Sequence, residues 1–324
     1  MSEPLHPIRS LISEDLINFE KLFNDAIQSR NKLMNLVMNY IIKRKGKQMR
    51  PLFVYLSAAV FGKINPSTHR GAVLIELLHN ATLIHDDVVD EANYRRGFLT
   101  LNSIWQNKVS VLVGDYLLAK GLLLSIDNND FALLKIVSQA VQEMSEGELL
   151  QLEKSKKLNI TENIYFQIIR QKTAILIASC CAIGAHTAGS SEEHVRKAKL
   201  FGEKIGIAFQ LKDDLLDFSR SHTGKPTGID LQSKNLSLPL IHSLDKADAF
   251  TRLRMYNLIR KKNKTHRQIT QLIEFSERMG GIQYTEKKMK EFLNEAKEIL
   301  NSFRPSLYRD ALDKLIANVT TRTY

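Results

Sequence analysis

Two short stretches carry carboxylates at helical spacing: ATLIHDDVVDEANYRRG at residues 81–97 and QLKDDLLDF at residues 210–218. In the first, Asp86 and Asp90 stand four apart and share one face of a helix, with Asp87 beside them and His79 two turns earlier. In the second, Gln210, Asp213, Asp214 and Asp217 fall at i, i+3, i+4 and i+7, one helical stripe flanked by Phe209, Leu211, Leu215, Leu216 and Phe218. Like charges at this spacing repel by about 0.2–0.5 kcal/mol even in solvent. A single DDxxD could be a solvated acidic face. Two copies, each ending an apolar helix near an Arg/Lys-rich segment, point instead to a divalent cation. Oxygen-only ligands suit hard Mg2+, which keeps several waters and is commonly shared with substrate phosphates. Such ions neutralise the carboxylates and make diphosphate a good leaving group. No His/Cys cluster has zinc-ligand spacing.

Cationic residues accompany both motifs. Arg95 and Arg96 follow the first by one turn; their planar forks suit phosphate oxygens, or else bridge the aspartates themselves. GKQMRP at 46–51 offers Lys47 and Arg50. RQKTAIL places Lys172 and Thr173 inside an apolar segment, and Lys225 and Lys234 flank Asp230 after the second motif. No GxxxxGK[ST] loop is present, which disfavours nucleotide hydrolysis.

The elements that position these residues read as helices. Proline is absent from 67 to 225, apolar residues recur at helical spacing (Leu74, Leu77, Ala81, Ile84 and Val88), and strand alternation and Asn-Gly or Asp-Gly hairpin signals are missing. The pattern predicts an all-α chain, one domain over 1–324. Helices are expected near 10–29, 31–44, 50–62, 67–92, 104–125, 129–154, 161–188, 191–219, 234–246, 249–262, 266–278, 281–302 and 305–319. SHTGKPTGID, residues 221–230, is the clearest loop.

Composition fits that picture: 44% hydrophobic and 25% charged over 324 residues. Adjacent Cys180 and Cys181 make a poor staple, so a reducing, cytoplasmic setting is expected, with neither secretion signal nor membrane span. The net charge of +11 suits affinity for anions, whether phosphorylated metabolites, nucleic acid or an anionic membrane face. Nucleic acid is not an expected partner, because no known motif or aromatic platform accompanies the basic runs.

In order, GKQMRP, ELLHNATLIHDDVVD, RRG, LVGDYLLAKG, EGELLQ, RQKTA, AFQLKDDLLDF and GKPTGIDL resemble the trans-isoprenyl diphosphate synthases over most of the chain. The resemblance implies an isoprenoid synthase-type helical bundle around a deep central cavity, a homodimer, and the two motifs facing each other at the cavity mouth. It implies that Asp86 and Asp90, supported by Asp87, bind Mg2+ with the allylic diphosphate. Asp213 and Asp217 would bind a further Mg2+, with Asp214 among the catalytic carboxylates. Lys47, Arg50, His79 and Arg96 resemble the isopentenyl diphosphate site. Arg95, Lys172, Thr173, Gln210, Lys225 and Lys234 resemble the allylic site for farnesyl or geranyl diphosphate, Lys172 and Thr173 also stabilising the carbocation. Two departures stand out: Leu99 where the family commonly has Pro after RRG, and Ser233 before Lys234 where Gly is common.

The resemblance also makes Ala81 and Thr82, five and four residues before Asp86, the gate to the growing tail. Ala81 lies about 7.5 Å up the helix, but periodicity alone places it off the Asp86 face. Both residues are small, which implies a medium-to-long product, octaprenyl favoured, for quinone side chains. The alternatives are a shorter farnesyl or geranylgeranyl product, a class I terpene cyclase, or a non-catalytic subunit of a heteromeric synthase. DDLLD and the retained Lys47 and Arg50 argue against the last two.

Overall fold

Pro66 opens the helix on which the first acidic motif rides. Asn65 caps it through a reciprocal capping box with Thr68, and the ring of Pro66 occupies a position where no N–H is needed. The computed structural model describes residues 6–43, 46, 48–95, 97–218, 231 and 236–320, without the side chains of 157 and 318–320.

The described elements are helices α1 (His6–Ser10), α2 (Ser13–Ile27), α3 (Lys32–Ile42), α4 (Met49–Phe61) and α5 (Pro66–Val89). Strands β1 (Tyr94–Arg95) and β2 (Phe98–Leu99) follow, then α6 (Leu101–Ile126), α7 (Phe131–Lys157) and α8 (Glu162–Ile169). A π-helical turn (Arg170–Ala174) leads into α9 (Ile175–Thr187) and α10 (Glu192–Asp217). The chain ends in α11 (Leu238–Lys246), α12 (Ala249–Ile259), α13 (His266–Arg278), α14 (Gly281–Asn301) and α15 (Leu307–Thr320). The all-α expectation holds, with helix bounds mostly within a few residues of those expected.

Three local features depart from it. The described chain does contain a hairpin, with Arg95 paired to Phe98 and Tyr94 to Leu99. Its turn carries Gly97 at φ 81°, which glycine adopts without strain. The helix expected over 161–188 is interrupted by the π turn, where the Ile175 N–H reaches back to the Arg170 carbonyl. The helix expected from 104 begins at Leu101 and bends at Gln106.

The chain divides into two compact units. The first comprises residues 1–139, 179–198 and 306–312; the second comprises 140–178, 199–305 and 313–324. In the first unit α5 is the central helix. It is buried continuously over Gly71–Ile75 and Leu77–His79, so it is enclosed on every side and not along one stripe. Arg70 grips Asp130 through Nε at 2.5 Å and Nη2 at 3.2 Å, and Ser67 Oγ donates to the same carboxylate at 2.7 Å, fixing the start of α5. Along α6, Gly114 lies against the His85 ring and Gly121 against Leu74 and Leu77; side chains there would hold the two helices apart. In the second unit α11 packs against α8, α13 and α14.

Gln106 sits at φ 68° and ψ 163°, a region that essentially only glycine occupies. Strain there costs about 1–3 kcal/mol. The side chain is exposed, so a glycine at this position would sacrifice little packing. Gln106→Gly is therefore expected to raise Tm by a few degrees in calorimetry, at about 2–4 °C per kcal/mol for larger domains. An unchanged or lower Tm would show that the bend is unstrained.

Among the described residues, two helical runs are long and apolar enough to cross a bilayer by length and composition: α6, 33% buried along its most apolar stretch, and Glu162–Thr187, 78% buried along its own. The second is a core element by its burial. Along α6, Ile104, Val111, Leu112, Leu122, Leu123 and Ile126 are exposed.

Candidate active site

The first acidic motif occupies the carboxyl end of α5. Asp86 and Asp87 lie in its last turn and Asp90 is its C-cap, with no basic residue in that turn. The partial negative charge of a helix carboxyl end adds to the repulsion among these carboxylates. The second motif ends α10 in the same way, again with no basic residue in the last turn. A bound cation would offset the negative charge gathered at both helix ends.

Burial divides each motif alike. Asp86 is half-buried and Asp90 exposed, whereas Asp87 is 7% exposed. Asp213 and Asp217 are half-buried, whereas Asp214 is 5% exposed. In each, the second of the adjacent pair is the most buried of the three aspartates, and of Asp213 one carboxylate oxygen, Oδ1, is buried as well.

The inward aspartates have protein partners. Arg95 Nε donates to Asp87 Oδ1 at 2.7 Å, bringing the hairpin back onto the end of α5. Burial raises the Asp87 pKa, and the Arg95 bond and charge oppose that rise. Arg95, expected on the allylic diphosphate, thus bridges to the motif through its Nε, the alternative left open above. The hairpin is held further by Thr100 Oγ1 to the Ala92 carbonyl at 2.6 Å and Tyr40 Oη to the Leu99 carbonyl at 2.6 Å.

Asp214 is held by three elements. The Tyr165 hydroxyl of α8 donates to Oδ2 at 2.7 Å, Gln210 Nε2 to Oδ1 at 3.0 Å, and the Leu238 N–H to Oδ2 at 3.4 Å. Leu238 is the first residue of α11, so the carboxylate also lies at the positive end of that helix. Gln210 in turn accepts from Thr173 Oγ1 at 3.2 Å.

Lys172 lies inside the π turn, its Nζ 2.6 Å from Glu148 and 3.2 Å from Gln151. Gly147 lets α7 approach this turn, since a Cβ there would meet Gln171 at 2.7 Å. Glu148, Gln151 and Tyr165 were not singled out from sequence as site residues. Their spacing was a usable signal: Glu148 and Gln151 are i, i+3 on one helix, and Tyr165 stands seven residues, two turns, before Lys172.

Of the remaining expected residues, His79 is buried and Arg50 half-buried in the first turn of α4. Ala81 is fully buried, and Thr82 is half-buried with its hydroxyl on the His79 carbonyl at 3.0 Å. Lys47, Arg96, Lys225 and Lys234 lie outside the described residues.

Among the described residues no three His, Cys, Asp or Glu side chains form a metal cluster. The donor set still fits a hard cation of the Mg2+ kind, which is held by one or two carboxylates together with substrate phosphates and not by an all-protein cage. The aspartates gathered at two helix carboxyl ends are that kind of donor set.

An all-α fold with two such motifs defines the class as isoprenoid diphosphate-handling enzymes. The polyprenyl synthetase family model matches residues 31–276. The all-trans-nonaprenyl-diphosphate synthase (geranyl-diphosphate specific) of Rhodobacter capsulatus is 35% identical over 94% of this chain and 94% of its own. The octaprenyl diphosphate synthase of Escherichia coli K12 is 31% identical over 95% and 96%. A polyprenyl synthase structure from Caulobacter crescentus CB15, complexed with calcium and isoprenyl diphosphate, superposes with a TM-score of 0.89 at 30% identity, covering 97% of each chain. The chain belongs to the polyprenyl synthetase family and is a prenyltransferase. The family is metal-dependent and acts on isoprenyl diphosphates.

Proposed function

We propose that this chain makes a long trans-polyprenyl diphosphate, octaprenyl in the first instance, by Mg2+-dependent 1'-4 condensation of isopentenyl diphosphate onto farnesyl or geranyl diphosphate. The observation that carries the metal and diphosphate part is the gathering of three aspartates at each of two helix carboxyl ends, Asp86, Asp87 and Asp90 on α5 and Asp213, Asp214 and Asp217 on α10. When bound, Mg2+ supplies charge neutralisation for the departing diphosphate.

The chain's own residues bind and orient. Lys47, Arg50, His79 and Arg96 hold the isopentenyl diphosphate; Arg95, Lys172, Thr173, Gln210, Lys225 and Lys234 hold the allylic one. These roles rest on the family resemblance. As the allylic C–O bond breaks, the isopentenyl double bond attacks the allylic carbon. The proton then lost passes to the released diphosphate. No protein nucleophile is required; positioning and preorganised dipoles do the work, including those of the π turn at Lys172 and Thr173.

Small residues at Ala81 and Thr82 support a long product, as do relatives that make nonaprenyl and octaprenyl chains. A cytoplasmic homodimer feeding quinone side chains, with a peripheral membrane contact for product release, completes the proposal. The exposed apolar side of α6 suits a second copy.

The test is to incubate the purified chain with farnesyl or geranyl diphosphate, isopentenyl diphosphate and Mg2+, size the product, and weigh the active species by light scattering. A C40 product from a dimer is expected. A C15 or C20 ceiling overturns the long-chain claim, inactivity of the chain alone overturns the self-sufficient enzyme, and an active monomer overturns the dimer.

A further inference from the structure

We infer that Tyr165 is a positioning residue for the second acidic motif, acting through Asp214 to set the orientation of Gln210 and Thr173 and the placement of Asp213 and Asp217. This rests on the function proposed above.

The argument is one of donors and acceptors. An ionised carboxylate only accepts. Asp214 is buried and takes hydrogen bonds from Tyr165, Gln210 and the Leu238 N–H. With Asp214 accepting, Gln210 must present its NH2 group to it, since the flipped amide would set oxygen against oxygen. The Gln210 oxygen is thereby committed to Thr173, whose hydroxyl must be the donor. The order is Tyr165 to Asp214, Gln210 to Asp214, Thr173 to Gln210.

Tyr165 is suited to begin this order. It is 4% exposed, and burial together with the Asp214 charge holds its hydroxyl well above the ordinary phenol range, so it remains a donor. The phenol also ties α8 to α10, while the Leu238 N–H ties α11 to the same carboxylate. Asp213 precedes Asp214 in the chain and Asp217 follows one turn later. Tethering Asp214 therefore fixes the end of α10 on which Asp213 and Asp217 also stand. Thr173 and Lys172 lie in the π turn that directly follows α8, so the element bearing Tyr165 is continuous with the residues it orients.

The test uses full-length wild type, Tyr165→Phe, Asp214→Asn and the double variant. Three quantities are read: kcat with KM for each diphosphate, Mn2+ binding by electron paramagnetic resonance in the presence of inorganic diphosphate, and Tm. Tyr165→Phe removes one hydrogen bond to a charged group. It should lower kcat and weaken Mn2+ binding by about 10-fold each, leaving KM for isopentenyl diphosphate within about 2-fold. The double variant should be little worse than Asp214→Asn, because both changes act on one network. Tyr165→Phe with lower Tm but unchanged Mn2+ affinity and kcat would make the phenol a packing element and overturn the inference. Additive losses would overturn it too. If Tyr165→Phe does not fold, the decision passes to Asp214→Asn: normal Mn2+ affinity there also overturns it. A wild type that binds Mn2+ with diphosphate yet condenses no isopentenyl diphosphate would instead sink the proposed function, leaving the metal readout on Tyr165 intact.

Discussion

Asp86→Ala is expected to lower kcat at least about a thousandfold, a loss of about 4 kcal/mol or more of transition-state stabilisation. Asp86 lies half-buried in the last turn of α5, four residues before Asp90. On the proposed function, its removal would take away a metal ligand where negative charge must be offset as diphosphate departs. The same change should leave Tm in EDTA within a few degrees of wild type, because the half-buried side chain at the end of α5 is not part of the core. Steady-state kinetics over a range of Mg2+ and calorimetry in EDTA check both halves. Turnover close to wild type would remove Asp86 from the metal site, and a large fall in Tm would make it structural.

Asp87 shows why sequence resolves the motif less finely than structure does. By letter, the members of each DD pair are equivalent. What separates them is a partner brought in by the fold: Arg95 across the hairpin for Asp87, and Tyr165, 49 residues away, for Asp214. Helical periodicity groups Asp86 with Asp90, and it places Gln210, Asp213, Asp214 and Asp217 on one stripe, whereas the structure buries Asp214 and leaves Asp213 and Asp217 half-buried. Periodicity carries no information about which carboxylate will meet a donor from another element.

The same distinction runs through the fold. Helices were readable because their causes are local: Pro66 and the Asn65 cap begin α5, and the proline-free stretch permits long helices after it. The bend at Gln106, the π turn at Arg170–Ala174 and the hairpin at Tyr94–Leu99 depart from local preference. Gln106 is the plainest case, since nothing about a glutamine announces a backbone conformation suited to glycine. Lys172 was legible as a charge in an apolar segment, and Glu148 and Gln151 stand within EGELLQ, but nothing in the sequence pairs that stretch with Lys172. An acidic residue on an amphipathic helix has a solvated face as its ordinary explanation.

Thr82→Phe is expected to shorten the product by at least two isoprene units while keeping the fold, and it is a sharper probe of chain length than Ala81→Phe. Thr82 precedes Asp86 by four residues and so shares its face of α5; its half-buried side chain leaves room to be replaced. A phenylalanine there would stand in line with the metal-binding end, across the way taken by a tail that extends from the diphosphate. Ala81 is different. It is fully buried, four residues from both Leu77 and His85, and those two meet α6 near Gly121 and Gly114. Its spacing therefore directs Ala81 toward the close α5–α6 packing, where an added ring costs about 1–3 kcal/mol in overpacking. Ala81→Phe should shorten the product as well, but with a Tm several degrees lower, whereas Thr82→Phe should melt near wild type. Product sizing by chromatography after incubation with farnesyl and isopentenyl diphosphates, alongside calorimetry, separates the two. Wild-type chain length from both folded variants would mean that growth is limited elsewhere, and that the small residues before the first aspartate do not set it.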